Sequence, residues 1–513
     1  MFLQSVQRHW RRPLSFGGLT SKSSNPLNSL SLLSTPSASS SSAPSAPTRS
    51  SHGHGRPFFT QARKPAGGST TSLSSPSRRS ELRQQQQGLA ATAAAAAEKM
   101  YQEDGGPAAS PHPSRVNVAT ARTKKSSAFL LGPEPSYVND VEGCEIYHHR
   151  VPFQVEFGGV LPELDIAYET WGTMNEKRDN VILLTCGLSA SSHARSHSKN
   201  PKPGWWENFI GPGAALDTNH FFIICVNHLG GCGGSTGPSS INPATNKPYG
   251  LDFPLFTVQD MVRVHFTLLD YLGIDRLHAV VGSSLGGMQS LCAASLYPHR
   301  VGRVVSISAC IESHPMSIAL RYVQRQVLMA DPNFHGGTYY GKAFPWRGMQ
   351  LARCIGTISY RSGPEWEERF GRQRGSASPS LDSDFIIEGY LEHQGRKWCL
   401  QYDPNSMLVI SKAMDLFTLE KAATEEGVPS LEEGMKGVQM PALIMGVSSD
   451  VLFPVWQQKQ VADILRAVGN RHVVYYELDA QYGHDTFLID VASIGGAVKG
   501  HLEQRHTDLP NIN

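Results

Sequence analysis

Six apolar runs of strand length constrain the fold of this chain more than any other feature. They are VILLTC (181–186), FFIICV (221–226), LHAVVG (277–282), VVSISA (304–309), ALIMGV (442–447) and HVVYYEL (472–478). Runs without polar alternation are typical of strands that are buried on both faces of a parallel sheet. Segments with helical periodicity lie between them, so the pattern predicts a doubly wound α/β fold with a mostly parallel sheet.

The alternation of strand and helix stops between about 313 and 438. Residues 315–360 and 404–424 have helical patterns, and residues 371–384 form a polar loop between them. An insertion at this point of the chain should lie over the carboxyl edge of the sheet, where ligands bind in such folds. The sequence therefore predicts a helical lid.

The first 80 residues differ in composition from the rest of the chain. They contain about ten Lys or Arg, no Asp or Glu, and Ser/Pro tracts such as STPSASSSSAPSAPTRSS. This Arg-rich, Ser-rich and acid-poor pattern predicts a transit peptide and a mitochondrial (matrix) location, with a disordered basic tail as the alternative. Residues 81–125 are low in complexity and predict a linker, and residues 126–513 are expected to form the α/β domain.

Several function classes are disfavoured by composition. The chain without its first 80 residues is clearly acidic, unlike a nucleic-acid-binding domain. No apolar stretch reaches 18 residues, so no membrane span is predicted. The eight cysteines form no C-x-x-C pair and predict free buried thiols, with no metal site. The segment GGCGGSTGP lacks the lysine of a P-loop and is interpreted as a close-packed structural loop.

One serine combines a nucleophile-elbow motif with the structural context that the motif requires. The sequence Gly-Ser-Ser-Leu-Gly at 282–286 fits G-x-S-x-G, with an apolar strand before Ser284 and an apolar helix after it. Ser235 lies in a second match, at 233–237, but the loop PSSINPATNKPYG follows it. A loop cannot supply the helix of an elbow, so Ser284 is the predicted nucleophile.

The partners of Ser284 are predicted from strand ends that come later in the chain. A serine hydroxyl needs an adjacent imidazole, and the imidazole needs an acid that holds its tautomer. Asp450 follows the run at 442–447, and His484 follows the run at 472–478. This order of Ser, Asp and His is that of α/β-hydrolase chains. Asp485 competes with Asp450, but adjacent side chains on a loop rarely face one another.

An oxyanion hole needs two backbone N–H groups that point at the developing negative charge. Leu285, directly after Ser284, is the first candidate, and Leu188, behind Gly187, is the second. From the residues alone, an ordinary βα turn at Gly187 and Leu188 is an equally good interpretation.

Seven sequence blocks, spread from about 150 to 495, resemble the homoserine O-acyltransferases, a branch of the α/β-hydrolase superfamily. The blocks are YETWGTMN, GWWENFIGPGAALDT, VNHLGGCGGSTGPSSINPAT, VVGSSLGGMQ, LARCIGTISYRS, SSDVLFP and YGHDTF. The resemblance implies acyl transfer from acyl-CoA, as a co-substrate and without a cofactor, to the hydroxyl of an amino acid. It also implies a homodimer.

The resemblance also implies a ping-pong mechanism with assigned residues. Ser284 would take the acyl group, with Asp450 orienting His484, and His484 would then deprotonate the acceptor hydroxyl. Arg353 matches the arginine that binds the carboxylate of the acceptor, and Asp485 matches the residue that binds its ammonium group. A planar guanidinium suits a carboxylate, and a carboxylate beside the catalytic histidine would place the ammonium near the reacting hydroxyl.

One block departs from the homoserine pattern. This chain has TCGLSASSHARSH where homoserine enzymes commonly have a segment like HALSGSHHAAG. It resembles the subgroup that acts on L-serine, including mitochondrial fungal enzymes of cysteine synthesis. This implies an acceptor-specificity region at Gly187, Leu188, Ser189 and Ala190, with succinyl-CoA as the favoured donor and acetyl-CoA as the other candidate.

Three alternatives stay open. One methylene supports only about 1–3 kcal/mol of discrimination, so a homoserine O-acetyltransferase of methionine biosynthesis is the main alternative. An esterase is weaker, because it has no need for a clamp made by Arg353 and Asp485. A catalytically silent scaffold is also weak, because no triad member is missing.

Overall fold

A sheet of eight strands runs through the part of the chain that this computed structural model describes, namely residues 142–375, 378–379, 381, 384–422 and 427–504. The strands are β1 (Glu145–His149), β2 (Leu164–Trp171), β3 (Val181–Thr185), β4 (Phe222–Val226), β5 (Ala279–Ser283), β6 (Val304–Ile307), β7 (Ala442–Val447) and β8 (Val473–Leu478). The predicted transit peptide and linker, residues 1–125, lie outside the described residues.

The strand order is β1-β2-β4-β3-β5-β6-β7-β8. β1 pairs antiparallel with β2, and β2 pairs antiparallel with β4, whereas the other neighbours pair parallel. The carboxyl ends of β3 to β8 therefore meet at one edge of the sheet. The predicted fold class, a mostly parallel doubly wound α/β sheet, is confirmed.

The six apolar runs correspond to β3 through β8. Every residue of β3, β5, β6 and β7 is buried, as expected for central strands with helices on both faces. β8 differs, because most of its residues are exposed or only partly buried. The expectation that this run is buried on both faces is wrong, because β8 is the last strand of the sheet.

Helices cover both faces of the sheet and fill the segment between β6 and β7. They are α1 (Val258–Tyr271), α2 (Leu285–Leu296), α3 (Pro315–Met329), α4 (Trp346–Tyr360), α5 (Gly363–Arg369), α6 (Ile386–Cys399), α7 (Pro404–Asp415), α8 (Leu431–Met435), α9 (Val455–Ala467), α10 (Thr486–Ile489) and α11 (Val491–Glu503). One core cluster includes residues of α1, α2 and α9, and the other includes residues of α11. None of the helices in the described ranges is long and apolar enough to span a membrane.

The segment between β6 and β7 is more helical than the sequence patterns predict. The predicted polar loop at 371–384 is followed by α6, which was not predicted, and the short α5 was also missed. The helical prediction for 404–424 is wrong beyond Asp415, where α7 ends. Phe417 and Leu419 are buried there in an extended segment, and the Leu419 N–H donates to the carbonyl of Ile311 (2.9 Å). This tertiary pairing overrides the local helical pattern.

Candidate active site

Ser284 lies on a strained turn between β5 and α2. Its φ of 57° and ψ of −126° are unusual for a residue with a side chain. A Cβ atom at Gly282 or at Gly286 would overlap backbone or side-chain oxygens of the turn and of the neighbouring strand β3. The Ser284 N–H donates to the carbonyl of Ile307 in β6 (2.9 Å), which fixes the turn. This is the geometry of a nucleophile elbow at the carboxyl edge of the sheet.

Ser235, the serine of the second motif, has a structural role. Its hydroxyl accepts a hydrogen bond from the Ala167 N–H (3.0 Å) and donates one to the carbonyl of Asn227 (3.1 Å). The side chain therefore links β2 to the loop after β4. Residues 236–249, which follow it directly, contain no helix, in agreement with its rejection as a nucleophile.

Asp450 and His484 form a buried pair at the same edge of the sheet as Ser284. His484 Nδ1 lies 2.6 Å from Asp450 Oδ2, although the two residues are 34 positions apart. Asp450 Oδ1 accepts the backbone N–H groups of Leu452 and Phe453, each at 2.9 Å, which fixes the carboxylate. His484 Nε2 is buried and has no hydrogen-bond partner among the described residues. It is therefore the nitrogen available for proton transfer with a serine hydroxyl.

The surroundings of His484 favour its protonated form. Burial lowers the pKa of His484, but the carboxylates of Asp450 and Asp485 outweigh burial and leave that pKa above its ordinary value. The ring of Phe453 stacks on the imidazole at 5.2 Å, and Phe487 contacts it edge-on at 5.3 Å. A base with a raised pKa between aromatic walls suits proton transfer in a site that excludes water.

The loop after β3 lies directly beside the nucleophile. A Cβ atom placed on Gly187 would be 3.9 Å from the Cβ atom of Ser284, which is ordinary van der Waals contact. Leu188, the next residue, is the second oxyanion-hole candidate, and its carbonyl accepts the hydroxyl of Tyr402 (2.9 Å). Leu285 is the first residue of α2, so its N–H is not used within the helix. Leu285 thus follows Ser284 directly in the chain, and Leu188 follows Gly187, which lies beside Ser284.

Arg353 links the predicted acceptor clamp to the predicted specificity region. It lies in α4, and its Nη1 donates to the hydroxyl of Ser189 (3.1 Å). The rings of Trp398 (4.4 Å) and Tyr360 (5.1 Å) lie against its guanidinium. Trp398 and Tyr402 belong to the lid, and sequence reasoning missed them because no local pattern marks contacts over more than 40 residues.

Asp485 is held by an arginine that the sequence analysis did not single out. Arg361 Nη2 lies 3.6 Å from Asp485 Oδ2, and Arg361 also pairs with Glu365 one helical turn further on. Burial raises the pKa of Asp485 to about 6, against the opposing charges of Arg361, His484 and Arg353. The i,i+4 pair of Arg361 with Glu365 was visible in the sequence, but its link to Asp485 was not.

A cavity of about 260 Å³ adjoins this site. Its wall includes the specificity-region residues Ser189 and Ala190 together with His193, His228, Trp398 and Tyr402. It therefore shares Ser189 and Trp398 with the surroundings of Arg353, and it offers space for part of a substrate beside the predicted clamp.

Glu169, His193 and His197 are of types that bind metal ions, and their ligand atoms lie within 4.8 Å of one another. Their hydrogen bonds explain the arrangement without an ion. His197 Nδ1 accepts the Lys199 N–H (3.2 Å), so its Nε2 donates to Glu169 (2.7 Å). His193 faces Glu169 (2.8 Å) and the carbonyl of Lys202 (2.7 Å), both acceptors, which favours an imidazolium. We interpret this cluster as an ion pair that fixes the loop after β3.

A strained serine and a buried Asp–His pair at one sheet edge are the features of a serine-nucleophile enzyme of the α/β-hydrolase class. A family model described as the alpha/beta hydrolase fold matches residues 180–491. A serine O-succinyltransferase from Emericella nidulans is 47% identical over 467 residues, covering 77% of this chain and 90% of the relative. The homoserine O-acetyltransferase of Moorella thermoacetica is 43% identical over 359 residues, covering 69% and 94%.

The crystal structure of esterase E22 is also similar, with a TM-score of 0.64 and 29% identity over 70% of this chain and 99% of that one. The chain belongs to the homoserine O-acyltransferase family of α/β-hydrolases. The family resemblance that the sequence blocks carried is thereby confirmed.

Proposed function

We propose that this protein is an L-serine O-acyltransferase that forms O-acyl-L-serine for cysteine biosynthesis, with succinyl-CoA as the favoured donor and acetyl-CoA as the other candidate. The Asp450–His484 pair (2.6 Å) carries the proposal, because it leaves a buried imidazole nitrogen available for proton transfer with the strained Ser284. The 47% identity to a serine O-succinyltransferase supports the choice of acceptor and donor.

In the first half-reaction, Ser284 Oγ attacks the thioester carbonyl of the acyl-CoA. His484 Nε2 takes the serine proton as the C–O bond forms, and it delivers that proton to the departing CoA sulfur as the C–S bond breaks. The N–H groups of Leu188 and Leu285 stabilise the tetrahedral oxyanion between these steps. The products are free CoA and an ester of Ser284.

In the second half-reaction, the hydroxyl of the acceptor L-serine attacks the ester on Ser284. His484 Nε2 removes the proton of that hydroxyl and returns it to Ser284 Oγ, so the free enzyme and O-acylserine are formed. Arg353 binds the acceptor carboxylate and Asp485 binds its ammonium, which places the hydroxyl near His484. The hydrogen bond between Arg353 and Ser189 supports a role for the region 187–190 in setting the distance between clamp and nucleophile.

Thiol release by the purified enzyme tests the proposal. Succinyl-CoA or acetyl-CoA is crossed with L-serine, L-homoserine or water, and Ser284→Ala and Ser235→Ala are measured in parallel. We expect serine to stimulate CoA release more than homoserine or water, S284A to abolish it, and S235A to retain it if folded. If homoserine is the better acceptor, the mechanism stands and the acceptor is wrong. If no acceptor stimulates release, the transferase function is wrong.

Homoserine O-acetyltransferase is the second candidate, and the 43% identity to the Moorella thermoacetica enzyme favours it. Both candidates use the same triad and the same clamp, so only the acceptor comparison separates them. An esterase would cleave the thioester at the same rate with or without an acceptor.

The protein acts as a homodimer under this proposal. Apolar side chains on the outer surfaces of α3 and α4 are exposed and support a self-contact there: Met316, Tyr322, Val323, Leu351 and Ile358. Light scattering after size exclusion should give twice the chain mass for the wild type and the chain mass for Ile358→Asp. Val151→Asp, at another exposed apolar position, should leave the dimer intact. A monomeric wild type would refute the dimer.

The proposed site of action is the mitochondrial matrix. Its support is the absence of Asp and Glu among residues 1–80, which also contain ten Lys or Arg. A fusion of these residues to a fluorescent protein should enter mitochondria, and a fusion with Arg8, Arg11 and Arg12 replaced by Glu should not. Import of neither fusion would contradict the assignment, and import of both would show that these three arginines are not required.

A further inference from the structure

A hydrogen-bonded chain of buried side chains leads from the nucleophile helix to the peptide group that carries the Leu188 N–H. Gln289, in α2, lies with its Nε2 3.0 Å from His228 Nδ1. His228 Nε2 in turn lies 3.0 Å from the carbonyl oxygen of Gly187. Gln289 and His228 are 0% and 3% exposed, so both side chains are buried. Three elements that meet at the sheet edge are thus connected: α2, the loop after β4 and the loop after β3.

The direction of proton donation along this chain is fixed by chemistry. The Gly187 carbonyl can only accept, so His228 Nε2 carries a proton. Burial lowers the pKa of His228, and the hydrogen bond to the Gly187 carbonyl opposes this effect only weakly. The ring is therefore neutral. The other nitrogen, Nδ1, is then an acceptor, and the amide NH₂ of Gln289 donates to it. The order of donation is therefore Gln289 to His228 to Gly187.

The Gly187 carbonyl and the Leu188 N–H belong to one planar peptide group, in which they point in opposite directions. A donor that holds the carbonyl therefore also sets the direction of the N–H. The backbone N–H of Ala190 donates to the same carbonyl (3.1 Å), and a Cβ atom placed on Gly187 would lie 3.9 Å from the Cβ atom of Ser284. The peptide group that His228 holds is thus the one beside the nucleophile.

We propose that His228, supported by Gln289, is a positioning residue that aims the Leu188 N–H at the oxyanion formed on acylation and deacylation of Ser284. This inference rests on the proposed acyl-enzyme function but not on the identity of the acceptor. His228 touches no reacting atom, so it acts on the rate only through the peptide group that it orients.

Substitution of His228 by Leu tests this role. Removal of a direct oxyanion donor costs about 10²–10³ in kcat, so loss of a residue that only orients such a donor should cost roughly 10–100-fold. The KM for the acceptor should change little, because the tetrahedral intermediate and not the bound substrate uses the N–H. His228→Gln should restore much of the rate, since its side-chain amide can donate to the Gly187 carbonyl.

His278 offers a matched control. It is a partly buried histidine whose Nε2 lies near a backbone carbonyl, that of Leu502 (2.9 Å), but it precedes β5 at the opposite end of that strand from Ser284. His278→Leu should lower the melting temperature as H228L does, without a comparable loss of kcat. Equal losses of kcat in H228L and H278L would overturn the inference, as would wild-type kcat in H228L.

The assay uses the full chain and two substrates. Hydrolysis of p-nitrophenyl acetate needs Ser284, His484 and the oxyanion hole but no amino-acid acceptor. If H228L slows this hydrolysis and H228Q restores it, the positioning role of His228 stands even where the enzyme does not transfer an acyl group to serine. A failure of the proposed function is therefore distinguishable from a failure of this inference. If H228L does not fold, Gln289→Met replaces it. We expect a smaller loss of kcat, roughly 3–10-fold, with unchanged KM, and no loss would refute the role.

Discussion

Two ionisable groups in the candidate site leave their working protonation state as the pH falls. His484 must be neutral to accept a proton, and its pKa is raised above its ordinary value. Asp485 must be ionised to bind an ammonium group, and burial raises its pKa to about 6 despite the nearby charge of Arg361. Both changes act in the same direction, because protonation disables the base and also neutralises the clamp. Acid should therefore impair acceptor use more steeply than it impairs acylation.

The profile of log kcat/KM for L-serine between about pH 5 and 8 measures this difference. Below about pH 6 the slope for the wild type should approach two, because two groups take up a proton and both changes lower the rate, whereas the slope for Asp485→Asn should be only one. The acid side of the profile should also move to lower pH in D485N, since the Asp485 charge raises the pKa of His484. At about pH 8 the variant should lose at least about 10-fold in kcat/KM, the value of a charged hydrogen bond.

Two controls accompany this measurement. Hydrolysis of p-nitrophenyl acetate uses no ammonium group, so its rate should fall with a slope of one in both enzymes, for protonation of His484 alone. Asp479→Asn changes an exposed carboxylate in the same loop region and should leave the profile as in the wild type. A slope of two that persists in D485N would show that Asp485 is not the second group.

At the scale of elements, the lid depends on a buried charge cluster between α3 and α7. Arg321 Nε and Arg325 Nη2 lie 2.6 and 2.5 Å from the two carboxylate oxygens of Asp415, and all three side chains are 11% exposed or less. Two guanidinium groups therefore share one carboxylate in a place that water hardly reaches. Removal of the carboxylate would leave two buried cations without their counter-ion.

Asp415→Ala should consequently lower the free energy of unfolding by about 3–5 kcal/mol. Urea denaturation followed by far-UV circular dichroism measures the change. Asp463→Ala breaks the exposed pair with Arg466, whose side chains are 58% and 47% exposed, and should cost no more than about 1 kcal/mol. Similar losses in the two variants would contradict a special role of the buried cluster.

The sequence predicted those elements whose signal is local. The runs of β3 to β7 are apolar because both faces of these strands are buried, and the elbow at Ser284 is marked by the glycines that its geometry requires. α6 was not recognised, because its glycines and charges hide its periodicity. One of them, Gly395, is needed because a Cβ atom there would overlap Gln350 of α4.

The residues that complete the site escaped prediction for another reason. Each of their contacts joins positions that are 45 to 214 residues apart and forms only in the folded lid. They pair Arg361 with Asp485, Trp398 with Arg353, and Tyr402 with Leu188. No spacing or composition marks such contacts. Asp450 and His484 were predictable because strand order in a parallel sheet brings their strand ends to the same edge as Ser284.

At the scale of the whole molecule, the residues assigned to catalysis all lie between Gly187 and Asp485, within the sheet and its lid. β1 lies outside this range, and it shields the edge of β2 through five antiparallel residue pairs. Its Tyr147 stacks on Tyr271 of α1 at 3.9 Å, and its Glu145 accepts the hydroxyl of Tyr168 (3.0 Å). Residues before β1 contribute no part of the proposed mechanism.

Truncation at two points separates these contributions. Removal of residues 1–125 should leave kcat/KM within about twofold of the full chain, because every assigned side chain and all of β1 are retained. Removal of residues 1–150 also deletes β1, exposes the β2 edge and should lower the melting temperature by at least about 3 °C. Calorimetry and thiol release on both purified chains measure the two effects. A large loss of activity in the shorter truncation would assign a catalytic or folding role to the first 125 residues, whereas equal melting temperatures would mean that β1 is dispensable for stability.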